Sequence, residues 1–296
     1  MKCKLSDICY FRKGKVEVEN LNTKNYISTE NMLPNKSGIT EATSLPNVSS
    51  TQEYKNGDVL VSNIRPYFKK IWQARYDGGC SNDVLVFVPK STTDRDFLYY
   101  LLADDDFFTY SMATSKGTKM PRGDKTSIMQ YEVPMVDFCT QKKIASVLKS
   151  LDEKIELNNA INENLEQQAQ AIFKSWFVNF EPFSNQMPSD WSVSTLGNIS
   201  IMGAGGEKPQ NVLTIKSNLY QYPIYSNGLS DEGLYGFTEK PKISEESVTV
   251  SARGTIGFVC LRHIPYVPIV RLVTLIPKTE IISAKYLYLW LKQLHI

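Results

Sequence analysis

The chain has 296 residues, 42% of them hydrophobic, and 33 Lys and Arg against 31 Asp and Glu leave a net charge of +2. That is enough material for a sizeable core, read here as two domains. It is too little net charge to announce a nucleic-acid partner by itself, although charge can cluster locally. Five scattered cysteines without a CxxC pair suggest neither a disulfide framework nor a zinc site. The start has no apolar leader and no stretch of about 18 apolar residues occurs, so a soluble, cytoplasmic protein is expected, with no membrane partner.

In chain order, Leu5-Ser6-Asp7-Ile8 reads as a short opening element. Residues 20–56 are punctuated by Asn22, Asn25, Pro34, Gly38 and Pro46 and read as irregular structure with short strands. Asn56-Gly57 is a turn, 58–62 a strand and 64–74 the next strand. The apolar run 84–88 (VLVFV) is a buried strand ended by Pro89. Residues 96–112 read as one helix, with Phe97, Tyr100, Leu101 and Phe108 on its apolar side and the acidic run 104–106 as a solvated face. The loop 114–125 (TSKGTKMPRGDK) is basic and broken by Gly and Pro, and a strand near 131–136 follows.

Residues 140–180 then carry neither Pro nor Gly and are rich in Leu, Ile, Ala, Glu, Gln and Lys, which predicts one long helix. Thr140 is its expected N-cap, and Pro182 forbids much continuation. Ile144, Leu148, Leu151, Ile155, Asn158, Asn162, Leu165, Ala169, Ile172 and Trp176 follow one another in alternating steps of four and three, a heptad seam. Such a helix would be ~60 Å long, and its seam needs another long helix, from this chain or from a partner. Leaving the seam bare would forgo on the order of 10 kcal/mol or more. The two mid-seam Asn weaken that core but can fix its register. The plainer alternative is a long core helix of one domain.

Past the linker EPFSNQMPSDW the pattern starts again. Leu196-Gly197-Asn198-Ile199 echoes Leu5-Ser6-Asp7-Ile8, and Ser247-Val248-Thr249-Val250-Ser251 echoes Asp58-Val59-Leu60-Val61-Ser62. Thr274-Leu275-Ile276-Pro277-Lys278 echoes Phe87-Val88-Pro89-Lys90, and Lys285-Tyr286-Leu287-Tyr288-Leu289 echoes Phe97-Leu98-Tyr99-Tyr100-Leu101. Four echoes in one order, about 189 residues apart, argue for an internal duplication. The second copy is expected to be incomplete, lacking the basic loop, the last strand and a second long helix.

Catalytic constellations are scarce. The two histidines, His263 and His295, have no identifiable partners and read as surface or packing residues. No GxxxxGK[ST] loop occurs, and Gly203-Ala204-Gly205-Gly206 reads as a loop rather than a phosphate cradle. No Asn/Asp-Pro-Pro-aromatic tetrapeptide is present, and Asp83 with Lys90 makes no convincing nuclease pair. The positive signal is base beside aromatics and amides: Arg65, Tyr67, Lys69, Lys70, Trp72 and Arg75 in one stretch, and Lys116, Lys119, Arg122 and Lys125 on one loop. In the second copy Tyr225, Ser226, Asn227, Arg253, Arg262 and Arg271 are their counterparts. Lys and Arg neutralise phosphates, and Arg or Asn can pair with a purine edge. Singly, each is better explained as an ordinary exposed loop charge. On two duplicated domains held apart by a rod, DNA reading at a split site explains them better.

The segment QKKIASVLKSLDEKIELNNAINENLEQQAQAIFKSWFVNFEPF closely resembles the central helical region of the specificity subunit of type I restriction–modification enzymes. The flanking YEVPMVDFCTQKKI, the W-x-x-x-x-L-G-N-I that follows, the SNIRP and SARGTIG strands and the GLYGFTEKP stretch agree with it. The resemblance implies an α+β chain with a target-recognition domain over 1–139 and a long coiled-coil-forming helix over 140–183 as spacer and docking edge. A second recognition domain, incomplete at its C-terminus, would cover 184–296. It implies sequence-specific binding of a bipartite duplex DNA site, docking of methyltransferase subunits, and a restriction and translocation subunit that joins through the complex. It implies no active site and no metal in this chain: S-adenosylmethionine, ATP and Mg belong to partner subunits, which methylate an adenine in each half-site. A homodimer through the long helix, a coiled-coil adaptor binding only proteins, an inactive or decoy remnant and a free-standing enzyme stay open as alternatives.

Overall fold

The structure, a computed structural model, describes residues 2–294. It divides into two compact units, Met1–Asn158 and Asn159–Ile296.

In the first unit one sheet orders its strands Cys9–Phe11, Val84–Pro89, Val59–Ser62 and Ile71–Gln73, all antiparallel. A second orders Lys15–Glu17, Ser50–Tyr54, Gly78–Cys80 and Tyr26–Ile27, the last pair parallel. Side chains alternate across a strand, and the two central strands of the first sheet are apolar on both faces. Val59, Val61, Leu85 and Phe87 pack under Leu98, Leu102 and Phe107 of the helical layer. Leu60, Val84 and Val86 pack on Tyr54, Trp72 and Cys80 from the other side. This two-sided burial is why VLVFV carries no polar residue.

The second unit repeats the plan. Ser200–Ala204, Val273–Pro277, Ser247–Val250 and Val259–Arg262 occur in the same order and are again antiparallel. A second sheet of Leu234–Thr238, Tyr222–Tyr225 and Val267–Pro268 also contains one parallel pair. Small details repeat as well. Lys90 donates its backbone N–H to Ile8 and its ammonium to the Ser6 carbonyl, and Lys278 does the same to Ile199 and Asn198. Both lysines fasten the end of a central strand to a short helix, Leu5–Ile8 or Leu196–Ile199. The outer helices correspond too: Arg95–Leu102 is capped by Asp94 and Ala284–Gln293 by Ser283.

Four local expectations are corrected. The helix expected over 96–112 is two, Arg95–Leu102 and Asp105–Ala113, because Asp104 leaves the helix and caps the second one. The strand expected over 64–74 is only Ile71–Gln73, because Arg65 and Lys69 are left-handed and enclose the turn Pro66–Phe68. Gly203 and Ala204 are not loop but the end of a strand paired to Thr274 and Val273. Gly205, next to them, passes so close to Ile269 that a Cβ would lie 2.7 Å from its backbone N. Finally, Thr140 does not cap the long helix. Asp137 does, accepting from the Thr140 N–H at 3.0 Å and hydroxyl at 2.6 Å.

That helix runs Phe138–Phe177, 40 residues, and the chain leaves it through left-handed Phe180. The first unit holds it through Gln141, 5% exposed, whose side-chain oxygen accepts from the Asp94 N–H at 2.8 Å while its amide donates to the Val136 carbonyl. Lys149 pairs with Asp96, Tyr100 donates to Asp152, and Arg75 pairs with Glu156. The second unit holds it through Phe173, 2% exposed among Phe177, Tyr286 and Trp290, and through Glu166 with Lys292.

The heptad seam lies beside these contact faces, not under them. Ile144, Leu148, Leu151, Ile155, Leu165, Ile172 and Trp176 are 37–60% exposed. Asn158 and Asn162 are exposed as well, and Ala169 is half-buried. Every other helix among the described residues has ten residues or fewer, so the described residues offer the seam no partner. No helix among them is long and apolar enough to cross a membrane.

Candidate nucleic-acid interface

The chemistry of the first unit gathers where its edge hairpin turns. The hairpin closes where the Ser62 N–H donates to the Lys70 carbonyl. Left-handed Arg65 (φ 51°) and Lys69 (φ 50°) bound its tip. The Phe68 and Lys69 carbonyls accept from the Asn35 and Lys36 N–H groups, and Arg65 N–H donates to Pro121. Three loops are thereby stitched into one surface. Asp105, at the start of its helix, takes both Lys36 and Lys69 at 2.7 Å. The acidic run 104–106 is therefore more than a solvated face, since Asp104 caps a helix and Asp105 clasps the loops.

The two ammonium groups hold the Asp105 carboxyl down from its ordinary 3.8 to about 2. The clasp is therefore at full strength above pH ~4 and is lost as pH falls through about 2. Carboxyl-detected NMR should find Asp105 titrating near 2, and Lys36→Ala with Lys69→Ala should return it toward 3.8. Titration near the ordinary value in the unsubstituted protein would mean that the clasp does not form.

The second unit turns its equivalent hairpin at 251–258, closed where Ser251 N–H donates to the Phe258 carbonyl. Its left-handed positions are Gly254 (φ 68°) and Gly257 (φ 83°). Asn227 braces the turn, accepting from Ala252 N–H and donating to the Val270 carbonyl, both at 2.8 Å. The profile of the family "Type I restriction modification DNA specificity domain" matches residues 1–167 and 188–296. The chain belongs to this family.

Its relatives include the type I restriction enzyme HindI specificity subunit of Haemophilus influenzae, 35% identical over 171 residues, 53% of this chain and 36% of that protein. The MjaIX specificity subunit of Methanocaldococcus jannaschii is 33% identical over 134 residues, 42% of this chain and 31% of that protein. The matches thus span about a third of the length of these curated relatives. The crystal structure of a type I restriction-modification system S subunit from M. genitalium superposes with a TM-score of 0.60. That match covers 99% of this chain and 76% of that one at 19% identity, a likeness of fold.

Within this specificity-domain chain the candidate residues separate by what already holds them. Arg65, Lys119, Lys125 and Arg253 have no carboxylate partner among the described residues, and Arg65 and Arg253 are exposed. Lys69 shares Asp105, Lys116 pairs with Asp124 at 2.9 Å, and Arg122 pairs with Asp83 at 3.1 Å, all at the surface. Exposed pairs of this kind are weak and can be exchanged for phosphate.

Five residues are placed elsewhere. Lys70 donates to the Thr29 carbonyl at 2.6 Å, and burial pulls its ammonium pKa down. Arg75 points to Glu156 of the long helix. Trp72 is core, packed on Tyr54. Asn227 spends its amide on the two loops it braces.

Arg262 is the clearest correction, at 3% exposure and with every nitrogen engaged. Its Nε donates to Thr249 Oγ1, its two terminal nitrogens reach the Glu232 carboxylate and carbonyl, and its guanidinium lies 3.7 Å from the centroid of Tyr225. An arginine so saturated, with Tyr225 under it, anchors the loop 226–233 and leaves nothing for a base.

His263 lies at the surface against Glu246 at 2.6 Å, while His295 lies outside the described residues. Asn35 and Lys36 belong to the same surface through their bonds to Phe68, Lys69 and Asp105. The segment Pro34-Asn35-Lys36-Ser37-Gly38 carries a turn signal, but nothing in it specifies which loop it clasps.

Proposed function

We propose that this chain is the non-catalytic DNA-recognition subunit of a type I restriction–modification complex. Each domain reads one half of a bipartite duplex site, the long helix sets the distance between the halves, and methyltransferase subunits dock along it. The observation that carries this reading is the repeated domain: the same sheet order occurs twice, and each copy displays at the same hairpin an exposed arginine with no carboxylate partner among the described residues. The exposed seam from Ile144 to Trp176 supports pairing with a second helix of the same kind, supplied by another copy of the chain. In this reading S-adenosylmethionine, ATP and Mg serve the partner subunits, the restriction and translocation subunit included, and the chain itself binds none of them.

Single-molecule methylation sequencing of DNA from cells co-expressing this chain with its methyltransferase subunit tests the reading. An asymmetric bipartite motif is expected if both domains read DNA. A palindromic one would mean one domain acting in two copies. No new methylation, with both proteins folded and associated, would overturn the proposal in favour of an adaptor or a silent subunit.

A further inference from the structure

The hairpin tips 63–69 and 252–257 connect equivalent strands of equivalent sheets, yet their sequences, NIRPYFK and ARGTIG, have little in common. What they keep is a form and a charge. Each contains two left-handed positions, Arg65 and Lys69 or Gly254 and Gly257, which bend the chain sharply. Each carries one arginine, exposed, with no hydrogen bond or carboxylate partner for its guanidinium among the described residues. Each sets an exposed apolar side chain beside it, Tyr67 at 49% or Ile256 at 66%. The fold holds Arg65 through its backbone, but no group among the described residues bonds to either guanidinium, so the fold does not need these two charged ends.

If the two domains read different half-sites, their base-reading residues must differ, whereas both halves of a duplex present the same phosphodiester backbone. We propose, on the footing of the DNA-recognition reading above, that the two tips are matched phosphate grips. Arg65 and Arg253 fix each domain on the backbone without choosing bases, and the choice is made by loops that differ between the copies, such as 114–125.

The test uses this chain purified with its methyltransferase subunit. The probes are two duplexes, one carrying the motif found by methylation sequencing and one with that motif scrambled, each titrated at several salt concentrations. Arg65→Gln and Arg253→Gln are each expected to weaken both duplexes alike, by roughly tenfold. Each should also lower the slope of log affinity against log salt by about one. Arg65→Lys and Arg253→Lys should recover most of the loss, and all four variants should methylate the unchanged motif. A loss confined to the motif duplex, or an altered methylated motif, would mean that the tips read bases and would overturn the inference. So would unchanged affinity and slope. If the unsubstituted complex shows no salt-dependent affinity for either duplex, the DNA-recognition reading itself fails and takes this inference with it.

Discussion

Leu151→Glu combined with Ile155→Glu is expected to abolish pairing of the long helix and, with it, methylation of the recognised motif, while leaving each unit folded. Both side chains are more than half exposed, at 54% and 57%, so their loss opens no cavity within either unit. In a paired seam each would be buried, at about 1.5–3 kcal/mol apiece. Four such side chains meet across a symmetric pair, so roughly 6 kcal/mol or more is at stake, a factor of at least about 10⁴ in association. Glutamate adds like-charge repulsion to the loss. Analytical ultracentrifugation should show the unsubstituted chain associating and the variant as a monomer, with unchanged thermal unfolding of its domains. A variant that still associates would show that pairing uses another surface.

Phe173→Ala is expected to cost the second unit about 3–5 kcal/mol. Phe173 is the one apolar side chain of the long helix that is fully enclosed there, with ring centroids of Phe177 and Tyr286 at 5.0 Å and Trp290 at 6.4 Å. The core behind it is small: Val248, Val259, Leu275, Leu287 and Leu291. A loss of this size is a large share of the stability of a unit this size. Phe173→Leu, closer in volume, should cost much less. Trp176→Ala, 46% exposed three residues on, is the control. Equal midpoints for Phe173→Ala and Trp176→Ala in urea unfolding would mean that Phe173 does not anchor the helix to this unit.

Local signals were dependable where a physical period repeats. The 3.5-residue seam, the absence of Pro and Gly over 140–180, and the Pro182 stop announce the long helix, and the structure ends it within three residues of the expected point. The apolar run at 84–88 announces a buried strand, and 247–251, the echo of 58–62, places another. The duplicated order of echoes became a duplicated order of strands, because the same apolar spacing builds the same sheet. Caps were the weak point. Asp137 replaces Thr140, and Asp104 splits one expected helix into two, since any Asp or Thr whose side chain reaches the N–H two or three residues on can start a helix there.

The candidate surface divides along the same line. That 65–75 and 116–125 are each rich in base follows from the sequence, whereas their meeting, where the Arg65 N–H donates to Pro121, is set by the fold. Which cations are spoken for does not follow, because their partners are far away in the chain. Arg75 meets Glu156 81 positions on, Lys70 meets the carbonyl of Thr29, and Arg262 meets Glu232 30 positions back. The sequence alone therefore determined the family, the repeated α+β plan and the long helix with its heptad seam, since periodicity and composition act locally along the chain. Only the tertiary structure decided that Arg262 and Asn227 are internal struts, that the Arg65 and Arg253 side chains are exposed at matched tips, and that the seam lies beside the faces gripping each domain. Those outcomes depend on which distant groups come within hydrogen-bonding distance, and no single segment carries that information.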